Sequence, residues 1–260
     1  MSKDNLINLL KSLEQRRMKR EEIAKDVLRM NKEYTRGVLD TLESLTLIET
    51  KQEGNIKWQK LTLEGKERLL LLSMDKGERI KSAKSQLLKF IKEKALFPGP
   101  IELSSGKMSN YYVDYKLVSL DPVGAKLTAE VLFNLLEKEK IDAVGGLMIG
   151  ADPICGAFAA ISYLRGKPIP TFIVRKERKD HGQKKVIEGP LEKGSKVAII
   201  DDVVTTGTSI LDAIKRVKQQ GCEVVKTIAI VDRQEGGKEA LAREGFELIP
   251  IFTRDDLGVE

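Results

Sequence analysis

Residues 196–209, KVAIIDDVVTTGTS, restrict the fold of this chain more than any other stretch. Val197 to Ile200 is an unbroken apolar run bounded by polar residues, the pattern of a strand buried on both faces of a parallel sheet. Two carboxylates, Asp201 and Asp202, follow at its end. Thr205, Thr206, Gly207, Thr208 and Ser209 come next, and they would cap the first turn of the helix that Ile210, Leu211, Ile214 and Val217 outline. Ligands of open α/β sheets sit at the carboxyl ends of strands, and backbone N–H groups at a helix start attract phosphate. The loop is therefore expected to cradle an anion; an ordinary strand-to-helix turn with a threonine cap is the bland alternative.

The acidic pair narrows the choice of anion. A triphosphate-binding loop needs Gly-Lys-Ser/Thr, and no lysine follows Gly207. Adjacent carboxylates beside a monophosphate cradle suit ribose hydroxyls, or the metal that a diphosphate brings with it. On these residues the segment 201–209 resembles the signature of type I phosphoribosyltransferases, which bind phosphoribosyl diphosphate (PRPP). The resemblance implies that Asp201 and Asp202 hold the ribose 2′- and 3′-hydroxyls. It also implies that the loop of Thr205, Thr206, Gly207, Thr208 and Ser209 takes the 5′-phosphate, with Val203 and Val204 in the same PRPP-binding segment.

Composition bounds the compartment more than the chemistry. The two cysteines, Cys155 and Cys222, lie in apolar stretches without metal-ligand spacing, which suggests a reducing cytosol. No apolar run reaches the length of a membrane span, so a soluble cytoplasmic protein without a membrane partner is expected. The net charge of +6 comes from interspersed signs and decides little.

Residues 1–83 read as a separate small domain with a linking helix, followed by a larger one over 84–260. Leu6, Ile7, Leu9, Leu10 and Leu13 make one helical face, and residues 20–28 and 32–45 make second and third helices. Residues 47–50 and 57–61 flank a Glu53-Gly54-Asn55 turn, a hairpin signal. Three short helices followed by a β-ribbon resemble a winged helix-turn-helix. That resemblance implies a third helix in the major groove of double-stranded DNA and a wing touching the backbone or minor groove, with Lys32, Thr35 and Arg36 nearest the DNA and Lys51 and Lys57 on the wing. Residues 1–83 carry 18 Lys/Arg and 14 Asp/Glu, a thin excess for a phosphate binder. Dimerisation or packing therefore stays open as the role of this domain. Residues 63–94 have helical spacing and read as linking helices broken near 73–77.

From residue 84 onward strand and helix signals alternate, which predicts an α/β fold with a parallel sheet flanked by helices. Strands are expected at 142–148, 170–174, 197–200, 224–231 and 246–251, with helices at 121–138, 153–164, 209–219 and 238–243. Four more segments resemble orotate phosphoribosyltransferases. Ser104-Ser105-Gly106-Lys107 with Ser109-Asn110-Tyr111-Tyr112 is similar to their N-terminal segment, which makes Tyr112 the candidate for stacking on orotate; many members carry a lysine where Ser104 stands. GGLMIGADP, residues 145–153, lacks the Lys-Ser/Thr of a P-loop but fits their pyrophosphate loop, where glycines let backbone N–H groups meet the leaving diphosphate. VRKERKDHG, residues 174–182, gathers four cations and the only histidine, a charge density that must face solvent or a polyanion. It resembles the family's mobile catalytic loop, which implies that Arg175, Lys176, Lys179 and His181 meet the diphosphate. Asp232-Arg233 is the fourth match, implying that Arg233 forks onto the orotate carboxylate, with Thr205 also at the orotate site.

The implied reaction transfers ribose 5-phosphate from PRPP to orotate in a homodimer, with Mg²⁺ held mainly by PRPP oxygens and no protein metal site. Lys179, His181, Asp201 and Asp202 are its expected catalytic residues. The rival is a PRPP-sensing transcription regulator with a DNA-binding head, which could dispense with Lys179, His181 and Arg233. Transfer to a purine base is a third option, and a purine has no carboxylate for Arg233 to meet. Lys179→Ala is expected to lower kcat for orotidine monophosphate formation by about 10²–10³-fold, as loss of one oxyanion-type contact does. Full turnover of that variant with orotate and PRPP would contradict the role.

Overall fold

The computed structural model describes residues 1–73, 76–102, 108–176 and 186–259. The chain forms two compact units, Met1–Arg79 and Ile80–Glu260. The sequence suggested a break slightly later, after residue 83.

In the small unit, α1 (Lys3–Gln15) is capped by Ser2, whose side chain accepts from Asn5 N. A two-residue strand, β1 (Met18–Lys19), leads into α2 (Arg20–Glu22) and a π-helical turn over Ile23–Leu28. Then come α3 (Lys32–Ser44), the hairpin β2 (Ile48–Glu53) and β3 (Ile56–Leu61), and α4 (Leu63–Ser73). The strands pair antiparallel in the order β1-β3-β2. Leu9, Leu10, Leu13, Ile23, Leu39 and Leu61 are among the buried residues of its core. Nothing in the sequence pattern announced β1.

One expected DNA contact is overturned here. Thr35 is only 1% exposed, and its hydroxyl donates to the Asn31 carbonyl at 3.0 Å. It stands one turn before Leu39 and two before Leu42, on the stripe that α3 turns inward. A side chain on that stripe cannot reach a ligand outside. The other candidates lie at the surface in ion pairs: Lys32 with Glu21 at 2.9 Å, Arg36 with Asp40 at 3.7 Å and Lys51 with Glu49 at 3.9 Å. Lys57 is exposed.

The large unit continues from α5 (Lys76–Lys94) into an antiparallel pair, β4 (Leu96–Glu102) and β5 (Met108–Val113). Two helices follow, α6 (Lys116–Ser119) and α7 (Pro122–Leu136). Next, β6 (Ala143–Leu147), α8 (Ala151–Leu164), β7 (Thr171–Val174) and β8 (Ile187–Glu188) build one side of the main sheet. The other side comes from β9 (Lys196–Val204), α9 (Thr208–Gln219), β10 (Glu223–Asp232), α10 (Gly237–Arg243), β11 (Leu248–Thr253) and α11 (Arg254–Leu257). The strand order is β11-β10-β9-β6-β7-β8. All neighbours run parallel except β7 and β8, so the sheet is mixed at one edge.

Both faces of β9 are covered. Ala198 and Ile200 pack into the core shared with Leu87, Leu132 and Phe158, whereas Val197 and Ile199 pack into a second core with Ile210 and Leu241. That is why the run reads apolar at every position. From β6 the chain proceeds to β7 on one side, while β9 lies on the other, and such a reversal leaves a crevice at the carboxyl ends of the two strands.

Gly145 and Gly146 were expected to serve a diphosphate loop, but they lie inside β6. A Cβ on Gly146 would stand 2.1 Å from the Ile200 carbonyl oxygen, and one on Gly145 would stand 2.4 Å from that of Phe172. Their absent side chains let strands approach, and only Gly150 of the three sits in the loop that follows. Gly146→Ala is therefore expected to destabilise the large unit by about 1–3 kcal/mol, the usual cost of overpacking a core. Calorimetry should show a lowered Tm.

Candidate active site

A cleft of about 660 Å³ opens at that reversal. Residues 147–150 at the end of β6 and 201–209 after the apolar part of β9 form two of its walls. Ile101, Tyr112, Val113, Lys116, Lys176 and Arg233 complete the lining. Strand pairing continues past the apolar run to Val204, so Asp201 and Asp202 stand within β9 and not after it. Val204 buries its side chain in the core, and its carbonyl accepts from Arg233 N at 2.9 Å. Val203 packs partly buried against the other core. The two valines therefore hold the loop in place from behind.

The loop at the start of α9 is built differently from the hydroxyl cap that its sequence suggests. Gly207 is the N-cap of α9, at φ +81°, and it has no side chain to occupy the helix end. A Cβ there would also stand 2.7 Å from Leu241 Cδ1. The amides at the start of α9 thus open toward the cleft, where N–H groups and the helix dipole favour an anion. Thr206 and Thr208 share a hydroxyl hydrogen bond of 2.9 Å beside them.

Asp201 is 7% exposed, and its Oδ1 accepts from Asp202 N at 3.1 Å. Asp202 Oδ1 accepts from Val203 N at 2.9 Å. Burial, reinforced by the neighbouring Asp202 charge, pushes the Asp201 carboxyl well above the usual range. Burial also raises Asp202, against the opposing pull of the Val203 N–H and of Lys116. Lys116 is shared, since its ammonium bonds Asp114 at 2.7 Å. Sequence reasoning passed over Lys116, whose partners become visible only once β5, α6 and β9 meet.

Arg233 is 3% exposed at the end of β10. Its guanidinium lies 4.4 Å from the Tyr111 ring centroid, with Nε donating to Glu235 and one Nη to Ser109 Oγ, each at 2.8 Å. A guanidinium has five N–H donors, so these two bonds orient the fork and leave donors for a ligand. Alternation along β5 separates the paired tyrosines: Tyr111 is buried against Arg233, and Tyr112, 36% exposed, lines the cleft. Tyr111, Ser109 and Glu235 were not singled out from sequence.

The expected diphosphate contacts divide. Lys176 lines the cleft. Arg175 does not: its guanidinium bonds Glu188 on β8 at 3.3 Å, because the antiparallel β8 brings that carboxylate beside the end of β7. Lys179 and His181 lie outside the described residues, as do Ser104, Ser105, Gly106 and Lys107.

The raised Asp201 carboxyl has a consequence for stability. Its folded pKa lies above the unfolded value, so ionisation opposes folding, and wild-type stability falls as pH rises from the unfolded pKa through the folded one. Asp201→Asn keeps the oxygen that accepts from Asp202 N and removes the buried charge. This variant is expected to melt higher than wild type at pH 8, with the gain shrinking toward pH 4; a variant that melts lower at pH 8 would refute the assignment.

Residues 120–255 match the phosphoribosyl transferase domain family. The orotate phosphoribosyltransferase of Aquifex aeolicus is 44% identical over 177 residues, spanning 67% of this chain and 97% of that protein. The enzyme of that name from Rhodopseudomonas palustris strain TIE-1 is 42% identical over 180 residues, spanning 67% and 96%. Among solved structures, Mycobacterium tuberculosis orotate phosphoribosyltransferase in complex with PRPP is similar at a TM-score of 0.58 and 32% identity, over 68% of this chain and 99% of that one. Likeness of this degree along nearly the whole length of such relatives makes the chain a member of the orotate phosphoribosyltransferase family.

Proposed function

We propose that the chain is an orotate phosphoribosyltransferase, moving ribose 5-phosphate from PRPP to a ring nitrogen of orotate and releasing diphosphate. The observation that carries this reading is Arg233 held by Tyr111, Ser109 and Glu235 in the same cleft as the 201–209 cradle. Orotate attacks through a weakly acidic ring nitrogen, whose proton passes to solvent or to the departing diphosphate as the bond to C1′ forms, so no serine, cysteine or histidine need serve as nucleophile. The difficulty is positive charge building on the ribose as diphosphate leaves C1′. Asp201 and Asp202 accept hydrogen bonds from the ribose hydroxyls and favour that charge, while the amides and hydroxyls of residues 205–209 hold the 5′-phosphate. Lys176 faces the leaving diphosphate from the cleft wall, and Lys179 and His181 are assigned to the same charge. Tyr112 stacks on the pyrimidine, with Thr205 beside it.

Mg²⁺, when bound, would neutralise diphosphate oxygens. Asp201 and Asp202 fit it, being carboxylates at the cleft whose burial outweighs the cationic pull of Lys176 and Lys116. Among the described residues no three Asp, Glu, His or Cys side chains gather into a metal site. The cytoplasm suits the two buried free thiols, Cys155 and Cys222. No helix of the described residues is long and apolar enough to cross a membrane. A homodimer would cover Leu117, Leu120 and Val123, exposed apolar residues at the turn from α6 into α7. The small unit is read as a winged helix-turn-helix, on the order of its helices and its β1-β3-β2 sheet, with double-stranded DNA as its partner.

The purified chain should convert orotate and PRPP to orotidine monophosphate. No turnover, together with salt-sensitive DNA binding, would favour a PRPP-sensing regulator instead. Arg233→Gln should lower kcat/KM for orotate by about 10–100-fold, the size of a lost hydrogen bond to a charged group, while PRPP binding is retained. Unchanged kcat/KM for orotate would remove Arg233 from the site.

A further inference from the structure

The positive charge of the small unit gathers on its sheet. Residues 16–19 and 48–61 hold six Lys/Arg against two Asp/Glu, whereas the other residues of 1–79 hold eleven against twelve. Gln59 and Leu61 of β3 are buried on the inner side. Side chains alternate along a strand, so Trp58 and Lys60 point outward. Lys19 of β1 and Lys51 of β2 are both in register with Trp58, one from each neighbouring strand. Arg17 Cζ lies 4.7 Å and Lys19 Nζ 5.2 Å from the Trp58 ring centroid, so the indole holds two cations over one aromatic surface. Two carboxylates share this side: Glu53 bonds Arg17, and Glu49 lies 3.9 Å from Lys51.

Helix α3 offers the opposite balance. It carries Lys32 and Arg36 against Glu33, Asp40 and Glu43, and both of its cations are in ion pairs. With Thr35 buried, its outer surface repels phosphate more than it attracts it.

We infer that the outer face of the sheet, through Arg17, Lys19, Lys51 and Lys60 around Trp58, receives the phosphodiester backbone of duplex DNA, with α3 outside the contact. The inference rests on reading the small unit as DNA-binding; it withdraws the third helix from the contact and widens the wing contact across the outer face of the sheet. Contacts to phosphates position the duplex without reading its sequence, so binding through this face is salt-dependent and sequence-tolerant.

The test titrates the full chain with a fluorescently labelled mixed-sequence duplex at about 50 mM salt, where phosphate contacts are strong. Anisotropy reports binding, and Trp58, the only tryptophan of the chain, reports the site. Binding should quench Trp58. Lys19→Glu with Lys60→Glu should weaken affinity about tenfold or more and flatten the log K against log salt slope by about two, while Lys32→Glu with Arg36→Glu should leave both unchanged. Unaltered melting and orotate turnover confirm that each variant is folded. Loss of binding in the α3 variant with the sheet variant unaffected would overturn the inference yet keep DNA as the partner. Preference for a single-stranded oligonucleotide of equal length would overturn the duplex assignment. No binding by wild type would end both this inference and the DNA reading.

Discussion

Two adjacent carboxylates near the end of a central strand, Asp201 buried and Asp202 half-buried, are the constraint around which the large unit is arranged. Asp201 and Asp202 occupy positions where a packed sheet would ordinarily place apolar groups, and burial drives both toward the neutral form. The strand that carries them is anchored into two separate cores, which lets the fold hold a locally unfavourable pair. A ligand that brings hydroxyl donors or a cation would relieve this cost, as the ribose of the proposed substrate would.

The second electrostatic element is a cation made rigid. Arg233 is positioned by three groups: an aromatic ring beneath it, a carboxylate two residues along the chain and a hydroxyl from β5. An arginine free in solvent would lose entropy on binding a carboxylate; this one is already oriented. Glu235 also tempers its charge, so an acidic ligand competes with or complements an existing pair instead of meeting a bare ion. Lys116 has a similar position, bonded to Asp114 and pulling on the Asp202 carboxylate.

In the small unit, charge is separated by element. The sheet is basic and the third helix is slightly acidic, so net charge summed over the domain hides the feature that bears on partners. A modest excess spread evenly would be only a solvated surface, but four cations against two carboxylates on one face around a tryptophan make a field with a direction.

The sequence by itself determined the elements whose signals are local. An apolar run with no polar alternation can only be a strand covered twice, and β9 is one. Helical spacing placed α1, α3, α7, α8 and α9, and the position of the 201–209 loop between strand and helix was legible because pattern and turn residues are adjacent in the chain. Only tertiary structure decided which groups meet. Periodicity puts Thr35 on a stripe without saying that the stripe faces inward. Two glycines before a loop look the same whether they serve an anion or let Phe172 and Ile200 come close. Arg175 takes a partner from β8 and Arg233 takes one from β5, across separations that no local pattern encodes. The physical reason is that period and propensity act over a few residues, whereas burial and ion pairing depend on neighbours that the chain supplies from far away.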